Sequence, residues 1–244
     1  MRIIAIANQK GGTAKTTTTA ALGVLMSRKG RRIHLLDMDP QASLSRAFRR
    51  TDHEERLYTS LKSRAGLPMD ALDEKLSITP SSLELSRAET ELLTEPGREY
   101  FLRLALERTD LPEDAIVLLD CPPSLGVLAL NCLVAAGGLI VTVQPGGFEL
   151  HALVHLHMTV NAVRQRVNPD LTVLGTLITN VHPRRSITER VREELARVHN
   201  VLGSVRTDAR LLYTTTAGTL LNLRRSNALD DYARVVDKLM DVLT

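Results

Sequence analysis

Residues 2–20, RIIAIANQKGGTAKTTTTA, constrain the fold more than any other stretch. Six residues of strand character run into a turn holding Gly11 and Gly12. Apolar residues at helical spacing follow over 16–30, and Lys29-Gly30 makes a stop signal. A buried strand delivered into a helix through a glycine turn is the opening of a βα unit. The turn is also marked chemically: of 31 basic residues only six are lysines, yet Lys10 and Lys15 lie within six positions of each other.

The same alternation continues downstream. RRIHLLDMDPQ (31–41) reads as a second strand ending in acids and a proline, and LSITP (76–80) as a short one. AIVLLDCPPS (115–124) is a strand that runs into a proline turn. LGVLALNCLVAAG (125–137) is a helix ended by Gly137, and GLIVTVQP (138–145) the next strand. A helix spans roughly 149–167, and LTVLGTLITN (171–180) is another strand. SITERVREELARVH (186–199) is an amphipathic helix with Ser186 as cap and Glu189 three residues on. DDYARVVDKLMDVL (230–243) is a final helix. Residues 42–110 carry short amphipathic helices with turns at Gly66-Leu67-Pro68 and Glu95-Pro96-Gly97. Strands that are apolar throughout are buried on both faces. The expected fold is therefore α/β: a doubly wound, mostly parallel sheet flanked by helices, in one domain over 1–244.

Composition sets the surroundings. With 43% hydrophobic and 24% charged residues this is an ordinary folded chain. A net charge of +3 permits nucleic-acid contact without requiring it. Cys121 and Cys132 lack C-x-x-C spacing and read as small buried residues in a reduced setting. With no leader-like segment and no 18-residue apolar run, a cytoplasmic location is expected.

Open parallel sheets bind ligands at the carboxyl ends of their strands. Three strands here finish there in charged turns: NQKGGTAKTT, DMDPQ and DCPPS. In the first, Gly11, Gly12, Thr13 and Ala14 let consecutive N–H groups face a phosphate, and the helix opening at Lys15 adds its positive end. Lys15 supplies charge for β/γ-phosphates, Thr16 a hydroxyl for Mg²⁺, with Thr17 beside it, and Asp120 a carboxylate that holds Mg²⁺ through water.

KGGTAKTT with DMDPQ and DCPPS resembles the deviant Walker ATPases of the MinD/ParA class, and most of all the ParA (Soj) partition ATPases. The likeness runs from residue 3 to about 240, with little from 48–110. The family pattern is K-G-G-x-G-K-[ST]-T, from which Ala14 departs. If φ is positive there, alanine adds roughly 1 kcal/mol of strain. The resemblance implies ATP and Mg²⁺ as cofactors and a homodimer in the ATP state, with Lys10 reaching the phosphates bound by the other subunit. Asp39 would orient the attacking water, and Asp37 would support Mg²⁺ indirectly. Hydrolysis is then expected to be slow until a ParB-type partner completes the site.

The resemblance further places adenine against Asn180 and a P-x-[ND] loop. Here that loop is VRTDARL, with Arg206 in the proline position and Thr207 and Asp208 as contacts. It implies non-specific binding of double-stranded DNA by a nucleoid-associated protein through basic residues of the C-terminal third. Arg184, Arg185, Arg224 and Arg225 flank helices there and are favoured. The acids Asp230, Asp231, Asp237 and Asp241 on the last helix argue for packing on the core, not for a membrane contact. Three alternatives stand beside partition: a positioning ATPase for a protein cargo, a nucleotide-switched module with little turnover, and an iron–sulfur carrier. The last would need a paired-cysteine ligand set that Cys121 and Cys132 do not resemble.

Overall fold

The computed structural model describes residues 1–52, 55–145, 149–182, 192–193, 195–196 and 200–243. Eight strands form one sheet: β1 (Arg2–Ala7), β2 (Ile33–Asp37), β3 (Asp70–Asp73), β4 (Leu76–Thr79), β5 (Ile116–Asp120), β6 (Gly138–Val143), β7 (Thr172–Val181) and β8 (Val201–Arg206). Their order is β3-β4-β2-β5-β1-β6-β7-β8, parallel throughout except for the antiparallel edge strand β3. The described helices are α1 (Lys15–Arg28), α2 (Ser43–Ala47), α3 (Arg56–Ser63), α4 (Ala88–Glu91), α5 (Phe101–Glu107), α6 (Val127–Ala135), α7 (Glu149–Arg166), α8 (Ala209–Thr216) and α9 (Asn227–Leu243).

Successive side chains of a strand point to opposite faces, and the central strands serve two cores. Ile4 and Ile6 of β1, with Ile116 and Leu118 of β5, pack beneath α1, α8 and α9. Ala5, Ala7, Val117 and Leu119 face α3, α5, α6 and α7 on the other side. The continuous apolar run read in each strand is thus two alternating faces, both covered, as expected of a doubly wound sheet. α1 lies so close that a Cβ on Gly23 would stand 2.6 Å from a Leu35 methyl.

Two elements differ from expectation. VLGSVR, unassigned from sequence, is the edge strand β8, and ARLLYTTT after it is α8. The last helix starts earlier than expected, at Asn227, and buries Ala228, Leu229, Tyr232, Val235, Val236, Leu239 and Leu243 on the sheet. Each large apolar side chain so covered contributes about 1.5–3 kcal/mol. The expected polar face needs one correction: Asp231 is 3% exposed, because Arg206 and Arg234 both pair with it from the sides. Most of the helix expected over 186–199 lies outside the described residues.

Candidate nucleotide site

β1 and β5 lie side by side, β2 beyond β5, so their C-terminal ends bring the three charged turns together. Between β1 and α1 the chain turns through Gly12 at φ 79° and Ala14 at φ 60°, ψ 32°. Alanine therefore occupies the left-handed region that the sequence departure had raised. No side chain caps α1. Three carbonyls of the turn are held by side chains. Asn180 Nδ2 donates to Gly12 O at 3.3 Å, and Thr179 Oγ1 donates to Thr13 O at 3.0 Å. Lys10 O accepts from Thr13 Oγ1 and Lys15 Nζ, each at 3.3 Å. In a trans peptide the next N–H opposes its carbonyl. The amides of Gly11, Thr13 and Ala14 are thus turned the other way, and no hydrogen bond among the described residues uses them. Successive free N–H groups at a helix start make an anion-binding concavity.

The charged side chains converge behind it. Lys15 is buried, and burial lowers its pKa while Asp120 and Asp39 pull it back up. Asp120 is 0% exposed, and neither carboxylate oxygen has a hydrogen-bond partner. Burial first, and then the charges of Asp37 and Asp39, push its carboxyl well above the usual range, against the charge of Lys15. A buried, unpartnered carboxylate beside a threonine and a lysine is a donor set suited to a hydrated Mg²⁺. Asp37 differs. Its Oδ2 accepts from Ser45 N at 2.8 Å and Ser45 Oγ at 2.6 Å, and its Oδ1 from Asp39 N at 3.2 Å. Burial nevertheless raises it to about 6. With both oxygens occupied, Asp37 acts by charge and by tying α2 to β2. Asp39 is half-buried and accepts from Gln41 N at 2.9 Å. Thr17 is half-buried in the first turn of α1.

At the ends of β7 and β8, Thr207 N donates to Val181 O at 3.0 Å, which sets Thr207 beside Asn180, itself at φ 53°. Arg206 ties this loop to the last helix. Its Nε and a terminal nitrogen grip Asp231 at 2.8 and 2.9 Å. Asp208 caps α8 through Arg210 N and Leu211 N, and its other oxygen accepts from Ala228 N at the start of α9. Partial burial would raise its pKa, but these hydrogen bonds outweigh it and leave the carboxyl below the usual range. Arg225 shares a groove with Thr207, Asp208 and Arg210, and Arg224 is exposed beside it. Arg184 and Arg185 lie outside the described residues. Sequence reasoning missed Asn8, Ser45, Thr142 and Thr179, whose contacts depend on tertiary packing.

Residues 1–173 match a family described as an AAA domain. The chain is 37% identical over 203 residues to the sporulation initiation inhibitor protein Soj of Bacillus subtilis, covering 80% of this chain and 78% of that one. It is 38% identical over 202 residues to the chromosome partitioning protein ParA of Caulobacter vibrioides, covering 80% and 75%. The chain belongs to the ParA/Soj family of P-loop ATPases. An uncharacterized protein of Mycobacterium tuberculosis is 39% identical over 212 residues, a match that takes in 84% of this chain but 65% of that longer protein. Among solved structures, cobyrinic acid a,c-diamide synthase from Mycobacterium smegmatis with bound ATP analogue and magnesium superposes with a TM-score of 0.81. It is 31% identical, over 100% of this chain and 96% of that one. A plasmid partition protein of Borrelia burgdorferi bound to AMPPNP shares the fold at TM-score 0.87 and 22% identity, over 99% of each chain. In ParA/Soj terms, the lysine-glycine turn, the DMDPQ turn and the DCPPS turn all meet at the carboxyl ends of three adjacent central strands.

Proposed function

We propose that the chain is a Mg²⁺-dependent partition ATPase whose ATP-bound homodimer holds double-stranded DNA without sequence preference. It lets go when a ParB-type partner stimulates hydrolysis. The observation that carries the reading is the pairing of an open amide cradle with the buried, unpartnered Asp120 behind Lys15 and Thr16. The amides of Gly11, Thr13 and Ala14 and the ammonium of Lys15 bind and orient the phosphates. Thr16 and Asp120 would hold Mg²⁺, the latter through water; the ion supplies charge that phosphoryl transfer requires. Asp39 orients the attacking water. Lys10, exposed at the rim, supplies positive charge to the phosphates of the second protomer. Asn180, Thr207 and the loop anchored by Arg206 hold adenine, and Arg224 and Arg225 contribute phosphate contacts to DNA, as do Arg184 and Arg185. A cytoplasmic, nucleoid-associated location follows from that output.

A protein cargo in place of a DNA one is a second reading of the same switch. Strain at Ala14 supports a third, a switch with little turnover. The test is ATP turnover with Mg²⁺, alone, with duplex DNA, and with DNA plus a ParB-type protein. Slow turnover that rises at least tenfold with both additions supports partition. Unchanged turnover with intact ATP binding supports the switch alone.

A further inference from the structure

Four hydrogen bonds close a ring around the main chain of Lys10. Its N–H donates to Asn8 Oδ1 at 3.0 Å. Asn8 Nδ2 donates to the carbonyl of Thr142 in β6 at 2.5 Å. Thr142 Oγ1 donates to Thr13 Oγ1 at 3.1 Å, and Thr13 Oγ1 donates to the Lys10 carbonyl at 3.3 Å. The directions are forced. Thr13 has one hydroxyl proton, which goes to Lys10 O, so it must accept from Thr142. Asn8 offers its oxygen to an N–H, so its amide nitrogen faces the carbonyl of Thr142.

Asn8, Thr13 and Thr142 are 4%, 1% and 0% exposed, whereas Lys10 itself is exposed. A fully satisfied buried ring is stiff, because opening any one bond strands a polar group away from water. It adjoins the phosphate cradle but is anchored on a different strand. The cradle's own peptides, at Gly12 and Thr13, are held from β7 by Asn180 and Thr179. The ring runs instead through β6 to Lys10, reaching Thr13 only by its side chain, and Lys15 Nζ still holds the Lys10 carbonyl when the ring is opened.

We propose that Asn8 and Thr142 are positioning residues for Lys10. They fix the main chain from which its ammonium reaches the second protomer's phosphates. The inference rests on the cross-dimer role proposed for Lys10 above. It divides the turn into two supports: β7 sets affinity for the protomer's own nucleotide, and β6 sets the lysine that closes the dimer. Thr142→Val keeps the shape and removes the donor, and Thr142→Ser restores it.

The experiment compares wild type, Thr142→Val, Thr142→Ser, Thr179→Val, Lys10→Ala and the Lys10→Ala/Thr142→Val double variant. Two quantities are read: the affinity for fluorescent Mg²⁺-ADP, and the ATP-dependent monomer–dimer equilibrium by mass. Thr142→Val is expected to weaken dimerisation about tenfold, to leave ADP affinity within about twofold, and to add nothing in the Lys10→Ala background. Thr142→Ser should match wild type, and Thr179→Val should weaken ADP binding. Asn8→Ala opens the ring one link along without burying a charge. It must repeat the Thr142→Val pattern, which keeps the test decisive should that variant fold poorly. An effect of Thr142→Val that is additive with Lys10→Ala, or equal on ADP binding and dimerisation, would overturn the inference while leaving the dimer in place. A wild type that stays monomeric with ATP would overturn the dimer and the inference together.

Discussion

Replacing Ala14 with glycine isolates the strain in the phosphate turn. Ala14 sits at φ 60°, ψ 32°, where a Cβ crowds its own backbone at about 1–2 kcal/mol. Glycine removes that cost but gains freedom in the unfolded chain, which offsets about 0.5–1 kcal/mol. Ala14→Gly should therefore stabilise the fold by roughly 0.5–1 kcal/mol, raising Tm by about 1–4 °C in a domain of this size. Because φ is already positive in the folded chain, the strain belongs to the folding equilibrium. Nucleotide affinity should stay within about threefold. The assay is urea unfolding at constant m-value, paired with Mg²⁺-ADP titration. Two controls set the scale. Gly12→Ala places a methyl at φ 79° and should lose about 1 kcal/mol. Ala20→Gly, inside α1 and fully buried, should lose at least as much. A lower stability for Ala14→Gly, or a large affinity change without a stability change, would refute the strain argument.

Asp120→Asn removes a buried, unpartnered carboxylate, so the variant should gain about 1–2 kcal/mol at pH 7 by chemical denaturation while its Mg²⁺-dependent hydrolysis falls at least 100-fold. His34 is buried between Ser77 and Thr79, and burial lowers its pKa from 6.5 to about 4. Its contribution is complete above pH 6.5 and is lost as pH falls toward 4, up to about 3 kcal/mol, so His34→Gln should flatten acid sensitivity over that window. Asp37 has the opposite sign. Its pKa is raised from 3.8 to about 6, so it is a cost above pH 6 that falls away between 6 and 4, and Asp37→Asn should steepen acid loss there. Arg206→Ala releases the base-side loop from Asp231, and steady-state kinetics should show KM for ATP up about fivefold with kcat within twofold.

Much of the fold was legible because it rests on local signals. A buried strand followed by a glycine turn and a helix needs only neighbours in sequence, and three charged strand ends pointed to the carboxyl end of a parallel sheet. β8 escaped because VLGSVR is short and broken by Gly203, and edge strands draw much of their identity from a partner, here β7. Asp231 was misread because helical spacing puts it among acids, while the guanidinium that buries it comes from Arg206, 25 residues earlier. The ring at Lys10 was illegible for the same reason. It needs β6 beside β1, and Thr142 lies 129 residues from the Thr13 it touches. Ser45 gave no signal either, since its bond to Asp37 depends on how α2 turns back after Asp39.

Binding to a non-specific DNA duplex at moderate salt, measured with ATP, with ADP and without nucleotide, for wild type and Lys10→Ala, tests the central claim most directly. The account predicts tight binding by wild type with ATP only, and none by Lys10→Ala in any state. Equal binding by both proteins in every nucleotide state, or no binding at all, would contradict it.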